Sequence, residues 1–93
     1  MDTSKEVLTD NYDYLVDHVR ADDVVPKLVA ARLVRREINQ KIANLTEAKK
    51  VETLLDEILR SPDPEWFVKF TKALSDTDAN HKMIAEKMLA GIV

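Results

Sequence analysis

The stretch from Thr46 to Leu74 reads TEAKKVETLLDEILR over 46–60, SPDP over 61–64 and EWFVKFTKAL over 65–74. On both sides of the SPDP segment the apolar residues return every three or four positions, which places them on one face of a helix. These residues are Ala48, Val51, Leu54, Leu55, Ile58 and Leu59 before the segment, and Trp66, Phe67, Phe70, Ala73 and Leu74 after it. The stretch therefore predicts two amphipathic helices joined by a sharp corner, with the aromatic residues in the core.

The ends of these two helices carry their own signals. The hydroxyl of Thr46 is placed to cap the first helix, and Glu47 stands in its first turn, where the helix dipole favours a carboxylate. Pro62 prevents that helix from continuing. Asp63 followed by Pro64 predicts the start of the next helix, because aspartate can cap it and the first helical position needs no N–H.

The N-terminal segment predicts a helix over about 4–20, with Thr3 and Glu6 as a capping box. Asp10–Asn11 are poor helix formers, so we expect a kink there. The apolar face of this helix consists of Leu8, Tyr12, Leu15 and Val19. A stripe of carboxylates lies on the opposite side, formed by Glu6, Asp10, Asp13 and Asp17.

Two short helices are predicted between this segment and the central stretch. The second helix covers about 24–32, with Asp22 or Asp23 as its cap and Pro26 in its first turn. The third covers about 35–43 and has no obvious cap. Their apolar residues are Val24, Val25, Leu28, Val29, Leu33, Val34, Ile38, Ile42 and Leu45.

A sixth helix is predicted over about 79–90, capped from the cluster Asp76–Asp78 and ended by Gly91. Its inward residues are Ile84, Ala85, Met88 and Leu89. Six short amphipathic helices predict an all-α antiparallel bundle. Nothing in the composition marks a second domain, so we expect residues 1–93 to form one domain.

The composition argues against several functional classes. Cysteine is absent, which removes disulfides and thiol chemistry and fits a reducing compartment, so we expect a cytoplasmic location. No apolar run approaches the ~20 residues that a membrane span needs. The single glycine leaves no phosphate-binding loop, and the acids Asp56 and Glu57 have no nucleophile beside them. His18 and His81 have no partner at metal-ligand spacing, so we expect no metal site. Taken together, these absences lead us to expect no catalysis and no cofactor.

The charges are distributed unevenly along the first half of the chain. Residues 1–23 hold seven acids and two bases, a net charge of about −5, whereas residues 24–44 hold five bases and one acid, about +4. The acids of the first segment are Asp2, Glu6, Asp10, Asp13, Asp17, Asp22 and Asp23, and the bases of the second are Lys27, Arg32, Arg35, Arg36 and Lys41. One acidic and one basic face on a small bundle favour head-to-tail stacking of domains.

Four segments carry a resemblance to a known family: YLVDHV over 14–19, VPKL over 25–28, KKVETLLD over 49–56 and WFVKF over 66–70. In this order and at these helix lengths, the chain resembles a caspase recruitment domain (CARD) of the six-helix, Greek-key death-fold superfamily. The resemblance implies a non-catalytic module that binds other CARDs and so brings initiator pro-caspases, or kinases in immune pathways, close together. It also implies a contact in which the first and fourth helices of one domain pack against the second and third helices of the next.

The C-terminal segment KMLAGIV over 87–93 is similar to the exit from the CARD of scaffolds of the apoptotic protease-activating factor type. That similarity implies recruitment of an initiator caspase or adaptor into an apoptosome. A CARD of an innate-immune or inflammatory receptor or adaptor is the alternative. In the apoptosome-type scaffold the second and third helices are acidic and the caspase's first helix is basic, whereas the signs are reversed here. The reversal leaves three possibilities open. The chain acts as the recruited caspase side, it binds a partner whose charges have changed to match, or it assembles with itself.

The candidate partner-binding residues are charged and come from both faces: Asp10, Asp13, Asp17, Lys27, Arg32, Arg35, Arg36, Lys41, Glu52 and Asp56. We expect the aspartates of one domain to meet the arginines of another. The plain alternative is that these charges are only the solvated faces of amphipathic helices. Two further interpretations are a small helix-turn-helix that binds nucleic acid, which the net charge of −3 disfavours, and a bundle that grips a partner's helix in an apolar groove.

Overall fold

The computed structural model describes residues 3–91, and within that range it contains helices and no strand. The helices are α1 (Thr3–Asp10), α2 (Tyr12–His18), α3 (Ala21–Ala30), α4 (Ile38–Ile42), α5 (Glu47–Leu59), α6 (Trp66–Thr77) and α7 (Ala79–Ala90). The predicted all-α bundle is confirmed: α1 and α2 correspond to the first predicted helix, and α3–α7 to the second to sixth. Asp2 of the acidic segment and Ile92 and Val93 of the C-terminal segment lie outside the described residues.

The kink expected at Asp10–Asn11 is present as a break between α1 and α2. The Asn11 N–H is shared between the carbonyls of Val7 at 3.1 Å and Leu8 at 3.2 Å, and the Asn11 side chain donates to the Val7 carbonyl at 2.8 Å. Asparagine side chains that bond to the preceding turn compete with the helix ladder, which accounts for the break. The predicted capping box is wrong, because Thr3 is already the first helical residue.

The start of α3 differs from the prediction. The helix begins at Ala21, so Asp22 and Asp23 stand in its first turn and neither serves as the N-cap. Pro26 consequently lies inside the helix and not in its first turn. The Ala21 N–H is satisfied by a carboxylate from another helix, Glu47 Oε1, at 3.1 Å. A cap that comes from so far along the chain leaves no local signal at the start of α3.

The central corner follows the sequence closely. Thr46 caps α5 as predicted, since its hydroxyl accepts the Lys49 N–H at 3.3 Å. Asp63 also acts as a cap, but on the turn that precedes the next helix: its Oδ1 accepts the Glu65 N–H at 2.9 Å. As a result α6 begins at Trp66 instead of directly after Asp63. The shorter α4, by contrast, covers only part of its predicted range.

The core sits where α6 packs against α3 and α7, and where α5 packs against α2, α3 and α4. The aromatic residues of α6 are buried as predicted, together with Val51, Leu54, Leu55 and Ile58 of α5. Three of the predicted apolar residues are exposed instead: Leu45, Ala48 and Leu89, the last 45% exposed. The side chain of His81, which the sequence pattern did not place in the core, is also buried and only 1% exposed.

Candidate functional site

A groove of about 500 Å³ opens between the α3–α4 connection and the C-terminal end of α5. We call it the basic groove because four cations line it: Arg32, Arg35, Lys41 and Arg60. Its two acids are Glu37 and Glu57, and its apolar walls are Leu33, Val34, Ile38 and Pro62. The basic groove thus contains three of the cations that the sequence assigned to partner binding, and one that it did not, Arg60.

The backbone at the end of α3 sets the direction of these side chains. The Leu33 N–H bonds to the Leu28 carbonyl at 3.1 Å, and the Arg32 N–H bonds to the Val29 carbonyl at 3.0 Å. This pair of bonds is a Schellman ending, in which the residue after the C-cap adopts the left-handed conformation. Arg32 occupies that position with φ 63°. Since Leu33 and Val34 are buried beyond it, Arg32 is left on the exposed rim.

One internal ion pair crosses the basic groove. Lys41 Nζ lies 2.9 Å from Glu57 Oε1. The hydrogen bond from Lys41 lowers the pKa of Glu57 although partial burial opposes the shift, and the nearby charges of Lys41, Arg60 and Arg35 lower it further. Among residues 3–91, Arg32 and Arg35 form no ion pair, so the groove keeps an excess of positive charge.

The other predicted cations divide between two places. Arg36 shares a shallow depression with Arg32 and Arg35 and so continues the basic groove on its outer side. Lys27 lies elsewhere, in a depression that also contains Lys69 and Lys72. The basic segment of the sequence therefore does not form one continuous face.

An acidic patch forms where α2 packs against α5, and we define it as Asp13, Glu52 and Asp56. Asp13 follows the half-buried Tyr12 on α2, Glu52 and Asp56 lie one turn apart on α5, and α2 packs against α5. Burial raises the pKa of the Tyr12 phenol, and the charges of Asp56, Glu52 and Asp13 raise it further. The packing of α2 on α5 thus brings candidate residues from two distant segments into one region of the surface.

The remaining predicted acids are placed apart from this centre. Asp17 is exposed on α2 and lines a separate depression with Tyr14 and Met83, on the side that faces α7. Asp10 is exposed at the last position of α1, before the break. The structure therefore groups Asp13 with the candidates on α5 more closely than the sequence stripe indicates.

Two residues of the site were missed at the level of sequence. Arg60 follows α5 directly and reaches the basic groove because the chain turns at Ser61 and Pro62. Tyr12 is predicted only for the apolar face, although the charges of the acidic patch act on its phenol and raise its pKa. The one signal in the sequence for a role of Tyr12 in the acidic patch is its position directly before Asp13.

The histidines and the lengths of the helices bear on other kinds of site. Between residues 3 and 91 there is no group of three His, Asp or Glu side chains that could hold a metal ion. His18 is exposed and stacks on Tyr14 with ring centroids 4.1 Å apart, whereas His81 is buried within the bundle. None of the helices between residues 3 and 91 has the length and apolar character to span a bilayer.

A protein-family model described as caspase recruitment domain matches residues 1–90. No curated protein and no solved structure matches. The matched range includes α1–α7 together with the basic groove and the acidic patch.

Proposed function

The chain belongs to the caspase recruitment domain family, whose members are homotypic protein-interaction modules, and from this premise we propose that it recruits a second CARD through its two charged surfaces. In this proposal residues 1–93 act as one interaction domain. The recruited partner is an initiator pro-caspase or an adaptor, and the product is an oligomeric apoptotic signalling complex in the cytoplasm. The domain contributes binding and no chemistry of its own.

The observation that carries the proposal is the position of the two surfaces around α5. At about 100° per residue, Glu52 of the acidic patch and Glu57 of the basic groove stand about 140° apart on this helix. The acidic patch lies on the flank where α2 packs, and the basic groove lies on the flank of α4. A domain can therefore engage one neighbour through each flank, which supports head-to-tail assembly.

The contact pairs the acidic patch of one domain with the basic groove of the next. Asp13 and Asp56 are exposed on one side, and Arg32, Arg35 and Arg36 are exposed on the other. An exposed ion pair contributes under about 1 kcal/mol, so affinity comes from several pairs acting together and from electrostatic steering. A heterologous contact of this kind continues from domain to domain unless its rotation closes a ring.

The signs of the charges restrict the partner. The chain offers cations from the α3–α4 side and carboxylates from the α2–α5 side. Its basic groove therefore suits a CARD whose own first and fourth helices carry carboxylates. A second copy of this chain meets that condition, as does an initiator pro-caspase or adaptor CARD of the same charge pattern.

The decisive experiment measures molar mass by light scattering against protein concentration, at low and at high salt. We expect concentration-dependent association that weakens as salt rises, because exposed charges are screened. The double reversal Arg35→Glu/Arg36→Glu should abolish it. A matched control, Lys72→Glu/Lys82→Glu, makes the same change in net charge at exposed sites outside the basic groove and should leave association intact.

Association that survives the Arg35/Arg36 reversal would sink the proposed contact. A wild-type monomer under every condition would exclude self-assembly. The same series would then be titrated with the CARD of an initiator pro-caspase, where salt-sensitive binding lost on reversal is the result that supports recruitment.

A further inference from the structure

We propose that Arg32 is a specificity-determining residue of the basic groove, kept at a strained backbone position because its guanidinium binds the acidic patch of a second copy of this chain. The inference rests on the proposed function and goes further, because it assigns one residue the task of recognising a combined carboxylate and aromatic surface. It starts from a conflict between the backbone and the side chain at the end of α3.

The backbone at Arg32 favours glycine. Arg32 is the only non-glycine residue with positive φ between residues 3 and 91, and its φ is 63°. In the left-handed conformation the Cβ atom of an L-residue crowds the carbonyl that follows, whereas glycine has no such atom. The Schellman bonds from Arg32 and Leu33 hold this conformation in place, so the arginine cannot relax out of it without opening the end of α3.

The side chain of Arg32 has no compensating partner within the described domain. It is exposed and forms none of the ion pairs found among residues 3–91. It lines the basic groove with Arg35 and the neighbouring depression with Arg35 and Arg36, and in both places the cations outnumber the acids, of which Glu37 is common to both. Backbone strain and the excess of neighbouring cations oppose an arginine here, whereas the dipole of α3 favours a cation of either kind, so the choice of arginine points to a partner outside the domain.

The acidic patch has the chemistry that an arginine recognises best. Its carboxylates come from α2 (Asp13) and from α5 (Glu52 and Asp56), which pack together, and the half-buried Tyr12 lies next to Asp13 in the chain. A guanidinium can bind a carboxylate with two parallel hydrogen bonds and can stack on an aromatic ring at the same time, whereas a lysine ammonium acts as a point charge. The combination of ring and carboxylates therefore selects arginine at the rim of the partner's basic groove.

Two half-blocked chains, in each of which one of the two charged surfaces is neutralised, isolate a single contact. The patch-only chain carries Arg35→Gln/Arg36→Gln, and the groove-only chain carries Asp13→Asn/Asp56→Asn. Neutral amides remove one surface from each chain without creating a new charge. We expect each chain alone to be monomeric and a mixture of the two to form a 1:1 complex by calorimetry and sedimentation.

Substitutions of Arg32 in the groove-only chain then test the inference. Arg32→Gly should weaken the complex by about three- to fivefold, the range expected for one exposed charge pair, while Tm stays at least as high as in the parent. Arg32→Lys keeps both the charge and the backbone strain and should weaken the complex to a lesser degree. Arg32→Gly placed in the patch-only chain is the matched control and should leave affinity unchanged, because the groove of that chain takes no part in the contact.

The outcomes separate the inference from the proposed function. Half-blocked chains that fail to bind each other would overturn the proposed contact itself. Chains that bind with the same affinity after Arg32→Gly would overturn the role of Arg32 and leave the proposed function standing. A fall in Tm on Arg32→Gly would show that Arg32 serves the end of α3, where a cation is favoured by the helix dipole, and would also overturn the inference.

Discussion

The imidazole of His81 accepts the backbone N–H of Arg20 with Nε2 3.0 Å from the amide nitrogen, across 61 positions of sequence. Its other nitrogen, Nδ1, lies 2.7 Å from Asp78 Oδ1. The geometry fits a neutral ring that donates from Nδ1 to the carboxylate and accepts at Nε2. Asp78 also caps α7, because its Oδ1 accepts the His81 N–H at 2.8 Å. The buried imidazole of His81 therefore joins the start of α7 to the α2–α3 connection.

Replacement of His81 by leucine should lower the free energy of unfolding by about 1–3 kcal/mol, because the part-buried Arg20 N–H loses its acceptor. Urea denaturation measures the change. His18→Leu is the matched control, since His18 is exposed, and should shift stability by no more than about 0.5 kcal/mol. Equal losses in the two variants would contradict a structural role for the His81–Arg20 bond.

The parts of the fold that could be predicted are those specified by local sequence. The period of three and four in α5 and α6 locates both helices, and Thr46 and Asp78 cap α5 and α7 as expected. Each of these signals involves residues within one or two turns of each other, so no tertiary packing is needed to read them. The same holds for the break at Asn11, whose side chain bonds to the carbonyl of Val7 in the preceding turn.

The parts that could not be predicted depend on packing between segments. Helix α3 begins earlier than the local sequence predicts because the Ala21 N–H is capped by Glu47 of α5. The acidic patch joins Asp13 to two residues of α5 only because α2 packs there. In the same way Arg60 reaches the basic groove through the corner after α5, and Lys27 leaves it because it faces α6.

Glu47→Ala should destabilise the domain by about 1 kcal/mol, the usual contribution of a side chain that caps a helix N-terminus. The reason is the loss of the 3.1 Å bond from the Ala21 N–H. The amide hydrogen of Ala21 should exchange faster, and by more than the loss of global stability alone accounts for. Glu86→Ala, an exposed glutamate on α7, serves as control, and equal exchange at Ala21 in both variants would argue against the cap.

The phenol of Tyr12 should titrate above its usual pKa of 10.0, because burial and the acidic patch disfavour the phenolate. Since the folded-state pKa is raised, the stability linked to this group is complete below about pH 10 and is lost as pH rises through the folded-state pKa. The ultraviolet absorbance of the phenolate measures the titration in a Tyr14→Phe background. Adding Asp56→Asn should lower the pKa of Tyr12, and an unchanged pKa would place the carboxylate too far away to matter.

Glu57→Gln should strengthen association at low salt by about two- to threefold, since it removes a negative charge from the basic groove and releases Lys41 from its 2.9 Å ion pair. In the wild type, Glu57 holds Lys41 and lies near Arg35 and Arg60, where it competes with a partner's carboxylates. Light scattering against concentration measures the effect, and Glu86→Gln controls for the change in net charge. Weaker association of Glu57→Gln would mean that the ion pair shapes the groove for its partner instead of competing with it.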